Sequence, residues 1–190
     1  NWVNVYDGDL GIALSDTYTT EVFLKNFSRK HAKLFDGVRH DSGDPYKFVN
    51  NVINRYKELG IDIELHYNNR KLLSGLIKEC GIDDELISTV ILSVDKLAKI
   101  GEDGVIKELE EKNIDTSKLD KLFSYFKLSL EEIKDMFVDT ENTILLEGIN
   151  EIVELNTYLN ELGLNECIFV PFLARGLEIY TGVVFEIFDK

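Results

Sequence analysis

Hydrophobic and polar positions alternate in two different rhythms along this chain, and the rhythm changes near residue 60. Leu10 to Leu14 is a short apolar run that suits a buried strand. Asp16-Thr17 follows, then a helical pattern through Val22, Phe23 and Phe27. Leu34-Phe35 and Val38 read as a second short strand. Asp44 suits a helix N-cap and Pro45 the first helical position. Phe48, Val49, Val52, Ile53 and Tyr56 then recur at helical spacing, and Gly60 closes that helix. The order β-α-β-α is the rhythm of a parallel α/β fold. Beyond it, Ile61, Ile63, Leu65 and Tyr67 alternate with Asp62, Glu64 and His66, which predicts a half-buried strand. Asn68-Asn69 leads into a helix through Leu72, Leu73, Leu76 and Ile77, with Gly81 past its end. From Asp83 to Leu162 the pattern is helical almost throughout. Leu86, Val90, Ile91, Val94 and Leu97 share a face, and Gly101 to Lys112 forms a short acidic helix. Ser129 and Glu132 have the spacing of a capping box. Leu145, Ile149, Ile152, Val153, Leu155 and Leu159 mark the longest amphipathic helix, which stops at Gly163. Strands resume at Cys167–Val170 and Gly182–Phe188. The second stretch is therefore α+β.

Charge sharpens the break. Residues 1–60 hold 8 Lys/Arg and 8 Asp/Glu, whereas residues 61–190 hold 13 and 27, so the whole net charge of −14 lies in the second part. That asymmetry points to two units with different histories. An acidic unit is a poor non-specific binder of nucleic acid, because phosphate contacts need Lys and Arg. No apolar stretch is long enough for a membrane span, and no signal peptide is visible. Cys80 and Cys167 are far apart and have no metal-ligand spacing with His31, His40 or His66, so they read as reduced thiols of a cytoplasmic protein, with no metal site. The start at Asn1 and the end in a strand suggest that both ends are cut.

Two clusters carry candidate chemistry. Gly37 to Asp44 places Arg39, His40, Asp41 and Asp44 at the end of a predicted strand, where α/β folds bind ligands. Arg39 can pair bidentately with a carboxylate or phosphate, and the aspartates can accept from ribose hydroxyls or hold hydrated Mg²⁺. The same string is also an ordinary turn before a capped helix. Residues 1–62 resemble nicotinate phosphoribosyltransferase in three runs: Leu10 to Thr20, Gly37 to Pro45, and Tyr56 to Asp62. The resemblance implies part of an irregular α/β barrel. It also implies nicotinate and phosphoribosyl pyrophosphate as substrates, with ATP hydrolysis coupled, and a nicotinate/phosphoribosyl pocket containing Asp16, Thr17, Arg39, Asp41 and Ser42. The family's phosphorylated His and its later Gly-rich phosphate loops have no counterpart in these 190 residues.

Leu173 to Gly182 is the second cluster. Arg175 beside Gly176 offers a guanidinium able to stabilise charge at a carboxylate–phosphate junction. Glu178 can accept from a ligand nitrogen and Tyr180 can hydrogen-bond a polar ligand, although a Tyr in a strand also fills core edges. Residues 61–190 resemble a class II histidyl-tRNA synthetase at Ile63 to Leu73, at Ser93 to Leu97 with Lys99 to Gly101, and at Ala174 to Glu186. The resemblance implies ATP- and Mg²⁺-dependent activation of histidine and its transfer to tRNA. Arg175 would be the catalytic residue, with Gly176, Glu178 and Tyr180 in the histidine pocket. Relative to the commonest form of that motif, Glu178 replaces Asp and Ile179 replaces Tyr. The stretch of about residues 83–162 corresponds to the family's all-helical insertion.

The two resemblances meet at Glu58 to Asp62, where a short shared string could join two genes by recombination, truncation or assembly error. The expectation is therefore a cytoplasmic chimera. An α/β fragment of a phosphoribosyltransferase barrel (residues 1–60) precedes an α+β class II synthetase fragment (residues 61–190). Neither active site is complete, most of the parental dimer interface is missing, and no ATP or Mg²⁺ is bound by the chain alone. A non-catalytic helical module that binds RNA or protein is the third reading.

Overall fold

The computed structural model describes residues 11–189 except 16, 36, 40–42, 165–166 and 175–180; at 12, 39, 45–46 and 187–189 only the backbone is described. The chain forms two compact units, residues 1–65 with 186–190, and residues 66–185.

In the first unit, β1 (Ile12–Leu14) pairs in parallel with β2 (Gly37–Arg39), with Ile12 opposite Gly37 and Leu14 opposite Arg39. Parallel strands need a crossover, and two short helices supply it. The first, α1 (Thr20–Asn26), starts where the Thr19 hydroxyl accepts from the Val22 amide at 3.2 Å. The second, α2 (Arg29–Leu34), corrects the expected strand at Leu34-Phe35. Ser28 caps it, and His31 at the third helical position returns a bond to the Ser28 amide at 3.3 Å. The usual capping box has Glu or Gln there, so this start lacked its ordinary sequence mark.

Helix α3 (Pro45–Glu58) begins as its sequence predicts, with Asp44 Oδ1 accepting from the Lys47 amide at 3.3 Å. Its Phe48, Val52, Ile53 and Tyr56 are buried. Phe27, 3% exposed, lies against Phe23, Phe35 and Tyr56 with ring centroids 4.9, 6.5 and 5.9 Å away. The Arg55 guanidinium donates twice to the Phe27 carbonyl, at 3.1 and 3.0 Å, and so satisfies a carbonyl at the helix end. Burial pushes the Tyr56 hydroxyl up to about 12.

In a three-stranded sheet, β3 (Ile63–Asn69) lies between β4 (Cys167–Phe169) and β5 (Val183–Asp189). Helix α4 (Arg70–Glu79) follows β3 without a loop. A 3₁₀ turn at Asp84–Leu86 leads to α5 (Ile87–Val94), α6 (Leu97–Glu110), α7 (Thr116–Tyr125), α8 (Leu130–Met136) and α9 (Thr143–Glu161). The element sequence is the expected α+β one. The acidic helix after Gly101 is the main part of α6, and Gly101 (φ 72°, ψ 173°) breaks the helix at that point. A residue with a side chain adopts that conformation only with strain. The Ser129–Glu132 capping box forms as its spacing predicts, with the Ser129 amide donating to Glu132 at 2.8 Å.

Two glycines set how the second unit packs. A Cβ on Gly75 of α4 would sit 2.5 Å from Leu145 Cβ and 2.6 Å from Leu145 Cα, and one on Gly148 of α9 would collide with the Leu72 amide nitrogen. The two helix backbones therefore touch. Around this contact Leu72, Leu76, Leu145, Ile149 and Ile152 are buried.

A second fastening joins α5 to α6. Glu108 Oε1 accepts from Lys96 at 2.8 Å, Lys112 at 2.9 Å and the buried Ser93 hydroxyl at 2.9 Å. Those bonds hold the Glu108 carboxyl down at about 2.

Two measurements test this packing. Gly148→Ala should cost about 1–3 kcal/mol in urea unfolding of the intact chain, because the backbones have no room to separate cheaply. Replacement of the exposed Asn160 on the same helix should change stability by less than about 0.5 kcal/mol. Glu108→Gln should make stability less pH-dependent in acid. The wild-type carboxyl is depressed on folding, so its contribution is complete above its ordinary 4.5 and fades as pH falls toward about 2. The wild-type advantage over E108Q should shrink across that window; an advantage unchanged by pH would count against the assignment.

Candidate functional site

The two clusters singled out from sequence lie on different units. In the first unit, Asp16, Asp41 and Ser42 fall outside the described residues, and so does His40. Thr17 is exposed, and Arg39 is the last residue of β2. Leu14 pairs with Arg39, so the parallel strands end level. Leu14 and Arg39 thus mark the same, carboxyl end of the pair. That is the end at which parallel α/β sheets bind ligands. Ser15, at the end of β1, is buried to 1% exposure.

In the second unit, Arg175, Gly176, Glu178 and Tyr180 fall outside the described residues. The chain on either side of them is held at one corner, where β3 runs directly into α4. The Asn68 side chain is fully buried, and its amide donates both hydrogens to backbone carbonyls, to Pro171 at 2.8 Å and Leu173 at 3.0 Å. Downstream, the Arg70 amide donates to the Gly182 carbonyl at 2.8 Å. Upstream, the Val170 amide donates to the Tyr67 carbonyl at 3.0 Å, continuing the β4 edge, and the Leu173 amide turns back to the Val170 carbonyl at 2.9 Å. Four consecutive residues, Tyr67 to Arg70, therefore hold chain that enters and chain that leaves the Arg175–Tyr180 segment.

The neighbouring residue locks the corner to α9. Asn69 caps α4 by accepting from the Lys71 amide at 2.7 Å, and its own amide donates to Glu151 Oε2 at 2.5 Å. Lys71 donates to Glu151 Oε1 at 2.6 Å and pairs with Glu147 at 3.1 Å. Glu151 is held below the ordinary carboxylate range, chiefly by the Lys71 bond. Lys71 is raised, first by Glu151 and then by Glu147. The Tyr67 hydroxyl donates to Asn156 Oδ1 on the same helix at 2.8 Å, and burial pushes it up to about 12.

Asn68 has one unfinished bond. Its Oδ1 is buried and has no hydrogen-bond partner among the described residues. A buried amide oxygen left this way costs about 1–3 kcal/mol, so such atoms are uncommon. Among the described residues no three His, Cys, Asp or Glu side chains gather to hold a metal ion. Neither Cys80 nor Cys167 forms a disulfide, and burial raises the Cys80 thiol to about 11, which makes it unreactive.

Sequence reading passed over Asn68, Asn69 and Glu151. A signal existed for the first two, since a polar Asn pair ends an apolar strand just where the helix starts. Nothing in the sequence links Glu151 to that pair from 82 residues away.

Comparison with known proteins finds two families. The model of the nicotinate phosphoribosyltransferase (NAPRTase) family matches residues 1–85. A nicotinate phosphoribosyltransferase of Methanococcoides burtonii is 64% identical over 62 residues, 33% of this chain and 15% of that protein. Histidine–tRNA ligase 1 of Bacillus cereus is 45% identical over 140 residues, 71% of this chain and 32% of the ligase. The crystal structure of histidyl-tRNA synthetase from Nostoc sp. PCC 7120 superposes with a TM-score of 0.68 at 26% identity, over 78% of this chain and 37% of that one. This chain thus spans about a third of the ligase's length and a smaller share of the transferase's. The coverages of the two sequence matches together exceed the length of the chain, so the matches share a short stretch. Residues 1–62 resemble nicotinate phosphoribosyltransferase, and residues 61–190 resemble histidyl-tRNA synthetase in sequence and in fold.

Proposed function

We propose that the larger part of this chain is a piece of a histidine–tRNA ligase, the enzyme that activates histidine with ATP and transfers it to its tRNA. The observation that carries the reading is 45% identity to such a ligase across 71% of the chain. The Arg175-to-Gly182 motif is its most specific part. In this reading Arg175 stabilises the α-phosphate as the histidine carboxylate attacks it, and Gly176, Glu178 and Tyr180 line the histidine pocket. ATP and Mg²⁺ belong to the parent reaction; the 190 residues alone bind neither productively. Two cysteines outside any disulfide suit the cytoplasm, and no helix among the described residues is long and apolar enough to cross a membrane.

The second reading concerns residues 1–60, favoured by 64% identity to a nicotinate phosphoribosyltransferase over 62 residues. Here β1 and β2 are two strands of an incomplete phosphoribosyltransferase barrel. Asp16, Thr17, Arg39, Asp41 and Ser42 would face nicotinate and the phosphoribosyl group. A third reading, a non-catalytic helical module for RNA or protein, rests on the helical body from α5 to α9.

Grafting is the direct test of the first reading. Residues 61–190 replace the matching stretch of the full-length Bacillus cereus ligase, and histidine-dependent pyrophosphate exchange is measured. The graft should be active, and Arg175→Ala within it should lose about a hundredfold or more. A folded but inactive graft would sink the reading. The 190-residue chain by itself should give no pyrophosphate exchange and no nicotinate mononucleotide, and a clear signal in either assay would contradict the incomplete-enzyme view. Single-molecule reads of the source DNA across the codons for Leu59 to Asp62 should carry both parts in one reading frame. Reads that run on into one parent gene would show that the joint is not genomic.

A further inference from the structure

Helices α5 and α6 make an antiparallel hairpin that turns at a single residue. Asp95 and Lys96, between the two helices, keep right-handed helical backbone, with φ/ψ of −57°/−22° and −90°/−1°. Gly101 is the residue of α6 that departs from it, at φ 72° and ψ 173°. The clamp on Glu108 shows where the chain reverses. Ser93 lies eight positions before Gly101 and Glu108 seven after it, and their side chains meet at 2.9 Å. Lys96 meets the same carboxylate at 2.8 Å. Connections between antiparallel helices ordinarily take about 2–5 residues. Two glycines permit a shorter one here. A Cβ on Gly101 would meet nothing within 4 Å, so this position calls for glycine by its backbone conformation alone. A Cβ on Gly104 would lie 3.0 Å from the Ile100 Cβ across the turn. In a continuous helix, Cβ atoms four positions apart are about 5–6 Å from each other. Both glycines therefore suit the closed turn, and both weaken an uninterrupted helix.

We propose that this hairpin is a hinge through which two copies of the chain exchange the stretch that follows Gly101. Returning Gly101 alone to helical backbone joins α5 and α6 into one helix. Ser93 and Glu108 of one copy then stand roughly 22 Å apart along the axis, so the clamp cannot close within that copy. Two such helices crossing antiparallel at Gly101 set the residues before the glycine in one copy against those after it in the other. Ser93 and Lys96 then meet Glu108 of the second copy, and Val105 and Leu109, both 0% exposed in the closed form, regain their cover. The α4–α9 crossing is remade between copies in the same way. The two forms differ at the hinge, so substitutions there shift the balance between them. The glycines hold the wild-type chain closed.

The test refolds the intact chain at high concentration and measures mass by light scattering after size exclusion. Gly101→Ala strains the closed turn and Gly104→Ala crowds it, while the open helix, present twice per dimer, accepts both. Each should raise the dimer-to-monomer ratio over wild type about tenfold or more. Gly163→Ala is the control, because Gly163 ends α9 with φ 67° and a Cβ there would meet nothing within 4 Å. It carries the same strain away from the hairpin and should leave the ratio unchanged. Exchange itself is read from Lys96→Glu and Glu108→Lys. Each variant alone sets like charges against each other in the clamp. Refolded together, they restore opposite charges at both clamps of a mixed dimer, provided that the clamps form between copies. Mixed dimers should outnumber either homodimer about tenfold or more. Glycine variants that stay monomeric, a control that dimerises as strongly, or charge variants that do not pair would each overturn the inference. If Gly101→Ala does not fold, Gly104→Ala and the charge pair are judged by the same ratios.

Discussion

At the crossing of α4 and α9 no side chain separates the two backbones. Gly75 admits Leu145, and Gly148 admits the Leu72 amide. Close approach lets the flanking leucines and isoleucines interlock, and dispersion contacts are lost steeply when such surfaces part by even a fraction of an ångström. The crossing also fixes the height and rotation of α9. From that placement follow the reach of Glu151 to Asn69 and Lys71, and of Asn156 to Tyr67. Had either glycine been larger, the polar contacts at the corner could not keep their present lengths.

The corner gains from this in a specific way. Asn68, Asn69 and Arg70 use side chain, side chain and backbone in turn, each toward a different part of the second unit. Buried polar groups are expensive unless satisfied, and among the described residues of this corner Asn68 Oδ1 is the buried side-chain atom left without a partner. Here the network is anchored below by a helix packed at backbone contact. The candidate histidine motif is bounded on both sides by chain that the corner holds.

The first unit is built on another principle. Its core is aromatic, centred on Phe27, and its parallel strand pair is short. Parallel pairs are ordinarily covered by further strands and by helices on both faces. Residues 1–60 carry no net charge, in contrast to the acidic stretch that follows. Different core chemistry and different charge accompany the two different family resemblances.

Local signals decided what was legible in the sequence. The Asp44–Pro45 helix start, the Ser129–Glu132 capping box and the buried face of α9 all depend on residues within a few positions of one another, and each appears where its spacing predicts. Where the local signal was unusual, as with His31 in the place of Glu in a capping box, a helix was mistaken for a strand. The motif strings that carry both resemblances are also local, so the sequence by itself determined the element order, the two-part character and the candidate chemistry. Tertiary structure alone decided the rest. It paired Leu14 with Arg39, brought Glu151 to Asn69, and laid Pro171–Leu173 over Asn68. Those partners are 25 to 105 residues apart in the chain, and which of them meet depends on how whole helices and strands pack, for which no short stretch of sequence holds the information.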